Sequence, residues 1–283
     1  MIEIIHQYDP NRTEQELRPA DAEQAQDRLT EGNRQLARFW NLPYDPEVLR
    51  RDVIPFDPRI MGIAEEVGEA PPHKPFAAIL SCSDARVPTE LIFRQTLNDL
   101  FVVRLAGNVI TTEGVGSLAY AVRHLGESLK LLVVLGHTGC GAVTAAVDAY
   151  LSPSNYPEIT PAIGLRFIVD RIFVAVRISA QTLDSTEGVK VENEQTYRDR
   201  LIRISTVLNA ALSAMALRQL LADVISVDCK VVFGVYELAK RTVWAPHESV
   251  DPPELKEPRL AEPPSSFEQL EQLADQLAGL GDI

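Results

Sequence analysis

Phe76-Ala77-Ala78-Ile79-Leu80-Ser81-Cys82-Ser83-Asp84-Ala85-Arg86 joins a short apolar run to a thiol, a carboxylate and a guanidinium at alternating positions. The run Phe76 to Leu80 reads as a buried strand, so Cys82, Asp84 and Arg86 fall at its C-terminal end. In open α/β sheets that is the end at which ligands bind. A second apolar run, Leu131 to Leu135, leads into Gly136-His137-Thr138-Gly139-Cys140-Gly141. His137 and Cys140 are three apart, a spacing that suits two ligands at the opening turn of a helix.

Further apolar runs fall at Asp99 to Arg104 and Lys230 to Tyr236, with the second taken as the strand that closes the sheet. Helical stretches are expected at Pro88 to Gln95, at about Leu118 to Leu125, from Gly141 to Tyr150, and from Gln195 to Leu221. Strands alternating with helices, each strand almost wholly apolar, predict an α/β fold with a central, mostly parallel sheet flanked by helices.

The remaining segments divide the chain. Residues 1 to 75 are expected to form an N-terminal helical arm, with helix from Ala20 to Arg38 followed by proline-rich wrapping loops (Pro43, Pro46, Pro55, Pro58, Pro71, Pro72, Pro75). Residues 76 to 243 form the α/β core, with a less regular insert at about 151 to 194. Residues 244 to 283 read as a proline-rich arm ending in an amphipathic helix. Ser265 and Glu268 suggest its capping box, and Phe267, Leu270, Leu273, Ala274, Leu277 and Leu280 its apolar face.

Composition narrows the function. Across 283 residues the apolar fraction is 46% and the charged fraction 24%, ordinary for a globular protein. A formal charge of −13 argues against a nucleic-acid partner and an anionic membrane surface. No run approaches the roughly 18 uninterrupted apolar residues of a membrane span. The start carries no secretory signal pattern, and three cysteines, with Cys229 left as an inert buried thiol, fit a reducing cytoplasm.

Cys82, His137 and Cys140 supply two thiolates and one imidazole. That donor set suits zinc, and the missing fourth protein ligand separates a catalytic site from a closed structural one. The expectation is a zinc hydrolase or hydratase. Asp84 lies two residues past a ligand, within reach of a metal-bound oxygen. Arg86 lies two further on the same side of an extended chain, placed to grip the carboxylate and keep it ionised. Because thiolates donate more charge than imidazole, activity is expected to rise toward alkaline pH.

These motifs resemble the β-class carbonic anhydrases. That family's Cys-x-Asp-x-Arg stands here as Cys82-Ser83-Asp84-Ala85-Arg86, and its His-x-x-Cys as His137-Thr138-Gly139-Cys140 followed by Gly141. Phe101 to Asn108 is similar to its strand ending in Arg and Ala-Gly-Asn turn, and Leu29-Thr30-Glu31-Gly32-Asn33 to its Leu-x-x-Gly-Asn segment. The resemblance runs from about Leu29 to Ala149 and again near Lys230 to Val243. It implies one Zn²⁺ per subunit and hydration of CO₂ to bicarbonate by a zinc-bound hydroxide that Asp84 and Arg86 orient. It also implies a homodimer or higher homo-oligomer with pocket walls shared between subunits. Phe101 and Tyr120 match pocket-lining positions, and the Gly141 amide a bicarbonate-binding one. His73 stands where the family often has Gln. Some members let the Asp bind zinc in an inactive form and often carry Trp three residues before the first Cys. Ile79 is here, so the open form is expected.

Two other functions share these residues. A narrowed tunnel at the same site would hydrolyse CS₂ or COS. The insert and the proline arm would also suit a zinc-bearing, catalytically silent regulatory or assembly subunit.

Overall fold

The computed structural model describes residues 1–8, 18–43, 45, 47–56, 58, 70–187, 194–246 and 258–280. In chain order it contains β1 (Ile2–Gln7), α1 (Ala22–Trp40), β2 (Arg50–Pro55), β3 (Ala77–Ser81), α2 (Thr89–Ile92), β4 (Leu100–Arg104), α3 (Thr112–His124) and β5 (Leu131–His137). There follow α4 (Gly141–Leu151), α5 (Tyr156–Ile159), α6 (Ile163–Glu187), α7 (Glu194–Leu220), β6 (Lys230–Glu237), β7 (Thr242–Trp244) and α8 (Phe267–Gly279). The main sheet runs β4-β3-β5-β6-β7. Its first four strands are parallel and β7 is antiparallel to β6. The α/β class expected from the apolar runs holds.

Successive strand residues face opposite sides, and both sides are dry. Ala78, Leu80, Leu132 and Val134 belong to one core with α3, α4, α6, α7 and α8. Ala77, Ile79, Leu131, Val133 and Leu135 belong to a second core with Ala22, Ala25 and Leu29 of α1. This double cover explains why the strands read as unbroken apolar runs rather than alternating ones.

The N-terminal arm is more than helix and loop. β1 and β2 form a separate two-stranded parallel ribbon, with Ile2 opposite Arg50 and Gln7 opposite Pro55. Its strands are short and mostly exposed, and charged residues interrupt their apolar alternation. Asp52 fastens the ribbon to the core: Arg94 Nε donates to its Oδ2 at 3.2 Å and Arg94 Nη2 to its Oδ1.

The segment expected as a less regular insert contains α6, a 25-residue helix whose Val169, Ile172, Ala175 and Val176 are fully buried. α3 starts at Thr112, earlier than expected, because Thr111 Oγ1 accepts the Gly114 N–H at 3.1 Å. β6 does not close the sheet, since β7 forms that edge. Among the described residues one helix, α7, is long and apolar enough to cross a membrane, but 72% of its apolar window is buried within the chain.

The tail returns to the core after residues 247–257, which carry His247, Pro252 and Pro253 and lie outside the described residues. Phe233 N donates to Ala261 O at 2.8 Å and Ala261 N to Phe233 O at 3.0 Å. Leu260 then crosses Gly234, where an added Cβ would stand 2.9 Å from Leu260 Cδ2. α8 begins one residue later than expected: Ser266 Oγ accepts the Gln269 N–H at 3.2 Å, while Gln269 Oε1 accepts from Ser265. Leu270, Leu273 and Leu277 are buried against α6 and α7, each worth roughly 2 kcal/mol. Phe267, expected on that face, is 62% exposed.

Candidate metal centre

β3 and β5 are hydrogen-bonded neighbours in parallel register, with Ser81 opposite Leu135. Their C-terminal ends therefore deliver Cys82, the residue after β3, and His137, the last residue of β5, to the same point. Gly139, at φ +65, turns the chain in the left-handed region, and Cys140 becomes the N-cap of α4.

The donor atoms of Cys82, His137 and Cys140 lie within 4.8 Å of one another, and all three residues are buried. The two sulfurs are 4.0 Å apart. His137 Nδ1 stands 2.9 Å from the Thr138 carbonyl oxygen. A carbonyl only accepts, so Nδ1 carries the proton and Nε2 keeps its lone pair. That Nε2 is buried without a hydrogen-bond partner. A buried nitrogen acceptor facing two thiols, with no donor of its own, is the arrangement a metal ion completes.

The thiols are unequal. The contact with Cys140, helped by His137 and by the amides of Asp84 and Gly107, holds the Cys82 thiol below the usual thiol range against the opposing effect of burial. The Gly107 N–H lies 3.3 Å from Cys82 Sγ. The same contact between the thiols, burial and the charge on Cys82 push Cys140 above the thiol range, against the opposing amides of Val143 and Ala142.

Asp84 faces Arg86. Arg86 Nε donates to Oδ1 at 3.0 Å, Nη2 to Oδ2 at 2.7 Å, and the Arg86 backbone N–H to Oδ1 at 2.9 Å. These bonds hold the Asp84 carboxyl below the usual carboxylate range. Oδ2 is 3.9 Å from His137 Nε2, so the carboxylate borders the donor trio while the guanidinium holds it.

The four remaining expected residues fall in two places. Gly141 opens α4, and its Cα faces open space. His73 and Phe101 meet with ring centroids 6.0 Å apart, and Tyr120, 51% exposed, lies 4.7 Å from His124. His73 and His124 line a common groove to which none of the three donors contributes.

Three supporting residues escaped the sequence reading. Arg104 donates to the carbonyl oxygens of Cys82 and Asp84 and so pins the loop that carries both. Gly107, at φ +67, aims its N–H at the Cys82 sulfur. Asn209 of α7 holds the Gly107 carbonyl at 2.8 Å. Arg104 and Gly107 lie in the strand and Ala-Gly-Asn turn of Phe101 to Asn108, whose local pattern carries no sign of these contacts. Asn209 is 102 residues from its partner, and no local pattern signals it.

A family model described as carbonic anhydrase matches residues 77–241. Carbonic anhydrase 2 of Mycobacterium tuberculosis is 37% identical over 154 residues, covering 53% of this chain and 68% of that protein. Carbonic anhydrase of Mycolicibacterium smegmatis is 44% identical over 110 residues, covering 36% and 52%. Among solved structures, the Coccomyxa β-carbonic anhydrase in complex with acetazolamide aligns with a TM-score of 0.48 and 20% identity, over 65% of this chain and 75% of that one.

Proposed function

The chain belongs to the carbonic anhydrase family, and from that premise we propose that it catalyses the reversible hydration of CO₂ to bicarbonate and a proton at a zinc ion, one per subunit, held by Cys82, His137 and Cys140. The observation that carries this reading is the buried His137 Nε2, unpartnered and turned to two thiols. In a tetrahedral site with zinc–sulfur bonds of about 2.3 Å, two sulfurs stand roughly 3.8 Å apart. The 4.0 Å between Cys82 and Cys140 fits that edge.

Zinc, when bound, supplies a Lewis acid that makes water a nucleophile near neutral pH. The chain's own residues supply orientation. Asp84, kept ionised by Arg86, is acceptor-only and takes a hydrogen bond from the attacking oxygen, leaving that oxygen's lone pair for the carbon of CO₂. Arg86 also donates to the Gly139 carbonyl at 3.2 Å, which ties the Asp84 loop to the His137–Cys140 turn. The α4 N-terminus at Gly141 offers its amide to a bicarbonate oxygen.

A homodimer or larger assembly belongs to the same proposal. β4 is the open edge of the sheet, and His73, Phe101 and Tyr120 gather on that side. A substrate role for those three calls for a second subunit that brings them to its partner's metal. Three unpaired cysteines support a cytoplasmic setting. Stopped-flow CO₂ hydration tests the function: zinc-loaded protein should turn over CO₂, and chelator-stripped protein should lose and then regain activity as zinc is restored. Stoichiometric zinc without hydration would overturn it.

A further inference from the structure

Strand β6 ends at Glu237, one residue past Tyr236, the register partner of His137. Beyond a strand's last residue the backbone N–H groups leave the ladder and need other acceptors. Two of them find side chains. The Leu238 N–H donates to Thr138 Oγ1 at 3.0 Å, and the Ala239 N–H to Glu237 Oε1 at 3.2 Å. Thr138 Oγ1 itself donates to Glu237 Oε1 at 3.1 Å. The Thr138 N–H donates to the Tyr236 carbonyl at 3.0 Å, so this residue is fastened to the end of β6 at three points.

Thr138 lies between His137 and Cys140, and its carbonyl oxygen is the partner of the imidazole, 2.9 Å from Nδ1. Its hydroxyl spends its one proton on Glu237 and a lone pair on Leu238, which fixes a side chain already stiff at χ1. Glu237 is anchored in its own right. Its carbonyl oxygen accepts the Arg241 N–H at 2.7 Å, and it pairs with Thr242 across the β6–β7 hairpin. On the other side of the turn, the Gly139 carbonyl accepts from Arg86. Successive carbonyls therefore face different partners, Thr138 the imidazole and Gly139 the guanidinium.

We infer that Glu237, 99 residues from Thr138 in the chain, is a positioning residue for His137. Through Thr138 it holds the carbonyl that keeps the imidazole proton on Nδ1 and leaves the Nε2 lone pair for a metal. A partner on the second nitrogen of a metal-binding histidine sets its tautomer and orientation and makes it a better ligand. Here that partner is itself held by a carboxylate from the neighbouring strand. The inference rests on the zinc reading of the donor trio and extends it to a residue outside the trio.

Two measurements on the full chain test it. ¹⁵N NMR of the chelator-stripped chain, at a pH above the ordinary histidine range, reads the tautomer. The parent should show His137 with its proton on Nδ1, and Glu237→Ala a mixture with the Nε2–H form. Competition with a chromophoric chelator reads zinc affinity, which Glu237→Ala should lower about tenfold, the usual cost of removing such an outer partner. Thr138→Val keeps the shape, drops the hydroxyl and should lose at least as much. The double variant should lose no more than Thr138→Val alone, because both changes break the Thr138–Glu237 bond. Glu237→Gln keeps an oxygen acceptor and should restore the single tautomer and most of the affinity. An Nε2–H tautomer in the parent, parental tautomer and affinity in Glu237→Ala, additive losses in the double variant, or a Glu237→Gln as weak as Glu237→Ala would each overturn the assignment. A parent that binds no zinc would overturn the zinc reading instead, while the tautomer, read without metal, still decides this one.

Discussion

Two of the Asp–Arg forks among the described residues differ in where they sit. Asp52 and Arg94 are 42 residues apart, and their side chains are only 6% and 8% exposed. Asp84 and Arg86 are two residues apart at the edge of the donor trio, with side chains 18% and 59% exposed. Similar bonds therefore do different jobs. The buried fork replaces water for two charges and locks the β1–β2 ribbon to the core; removing one partner strands the other. The open fork contributes little to stability, because solvent screens Arg86. What it fixes is the direction and charge of one carboxylate beside a metal site.

The widest separation between the two regions comes from deleting a donor. Cys82→Ser should abolish stoichiometric zinc binding by elemental analysis and bring hydration to background, whereas Asp52→Ala should keep full zinc occupancy. Next, Asp52→Ala should lower unfolding free energy by about 3–5 kcal/mol in urea melts, while Arg86→Ala changes it by less than about 1 kcal/mol. Comparable losses in both variants would dissolve the distinction between the forks.

The pH responses should also differ by region. Zinc-loaded activity should rise from about pH 6 to about pH 9, because the water on a two-thiolate metal is only weakly acidified. A flat profile would contradict that donor set. Asp84 does not produce the rise, since its folded pKa is lowered. Its pairing with Arg86 stabilises the fold fully above the ordinary Asp value of about 3.9 and is lost as pH falls through the lower folded value. The stability difference between parent and Asp84→Asn should thus stay constant above about pH 5 and shrink only in strong acid.

Legibility in the sequence follows the range of the interactions. Cys82 to Arg86 and His137 to Cys140 are local motifs behind unbroken apolar strands, so the donor trio and the parallel sheet could be read directly. The β1–β2 ribbon could not, because its pairing joins residues about 48 apart and its anchor is the distant Arg94. α6 went unread as a helix because the prolines at 153, 157 and 161 dominate the segment before it, while its helix-forming run is fixed by packing. The α8 cap was read one residue early because Ser265 and Ser266 both stand three before a capping side chain, Glu268 and Gln269. Only the hydrogen bonds to Gln269 distinguish them.

The most direct measurement sets the forks side by side: stopped-flow kcat/KM for CO₂ hydration and unfolding free energy, on zinc-loaded Asp84→Asn and Asp52→Ala. Asp84→Asn should lose at least about a hundredfold in kcat/KM with stability near that of the parent. Asp52→Ala should keep its activity per folded, zinc-loaded chain and lose stability. An Asp84→Asn protein that is folded, zinc-loaded and as active as the parent would contradict the orienting role of Asp84.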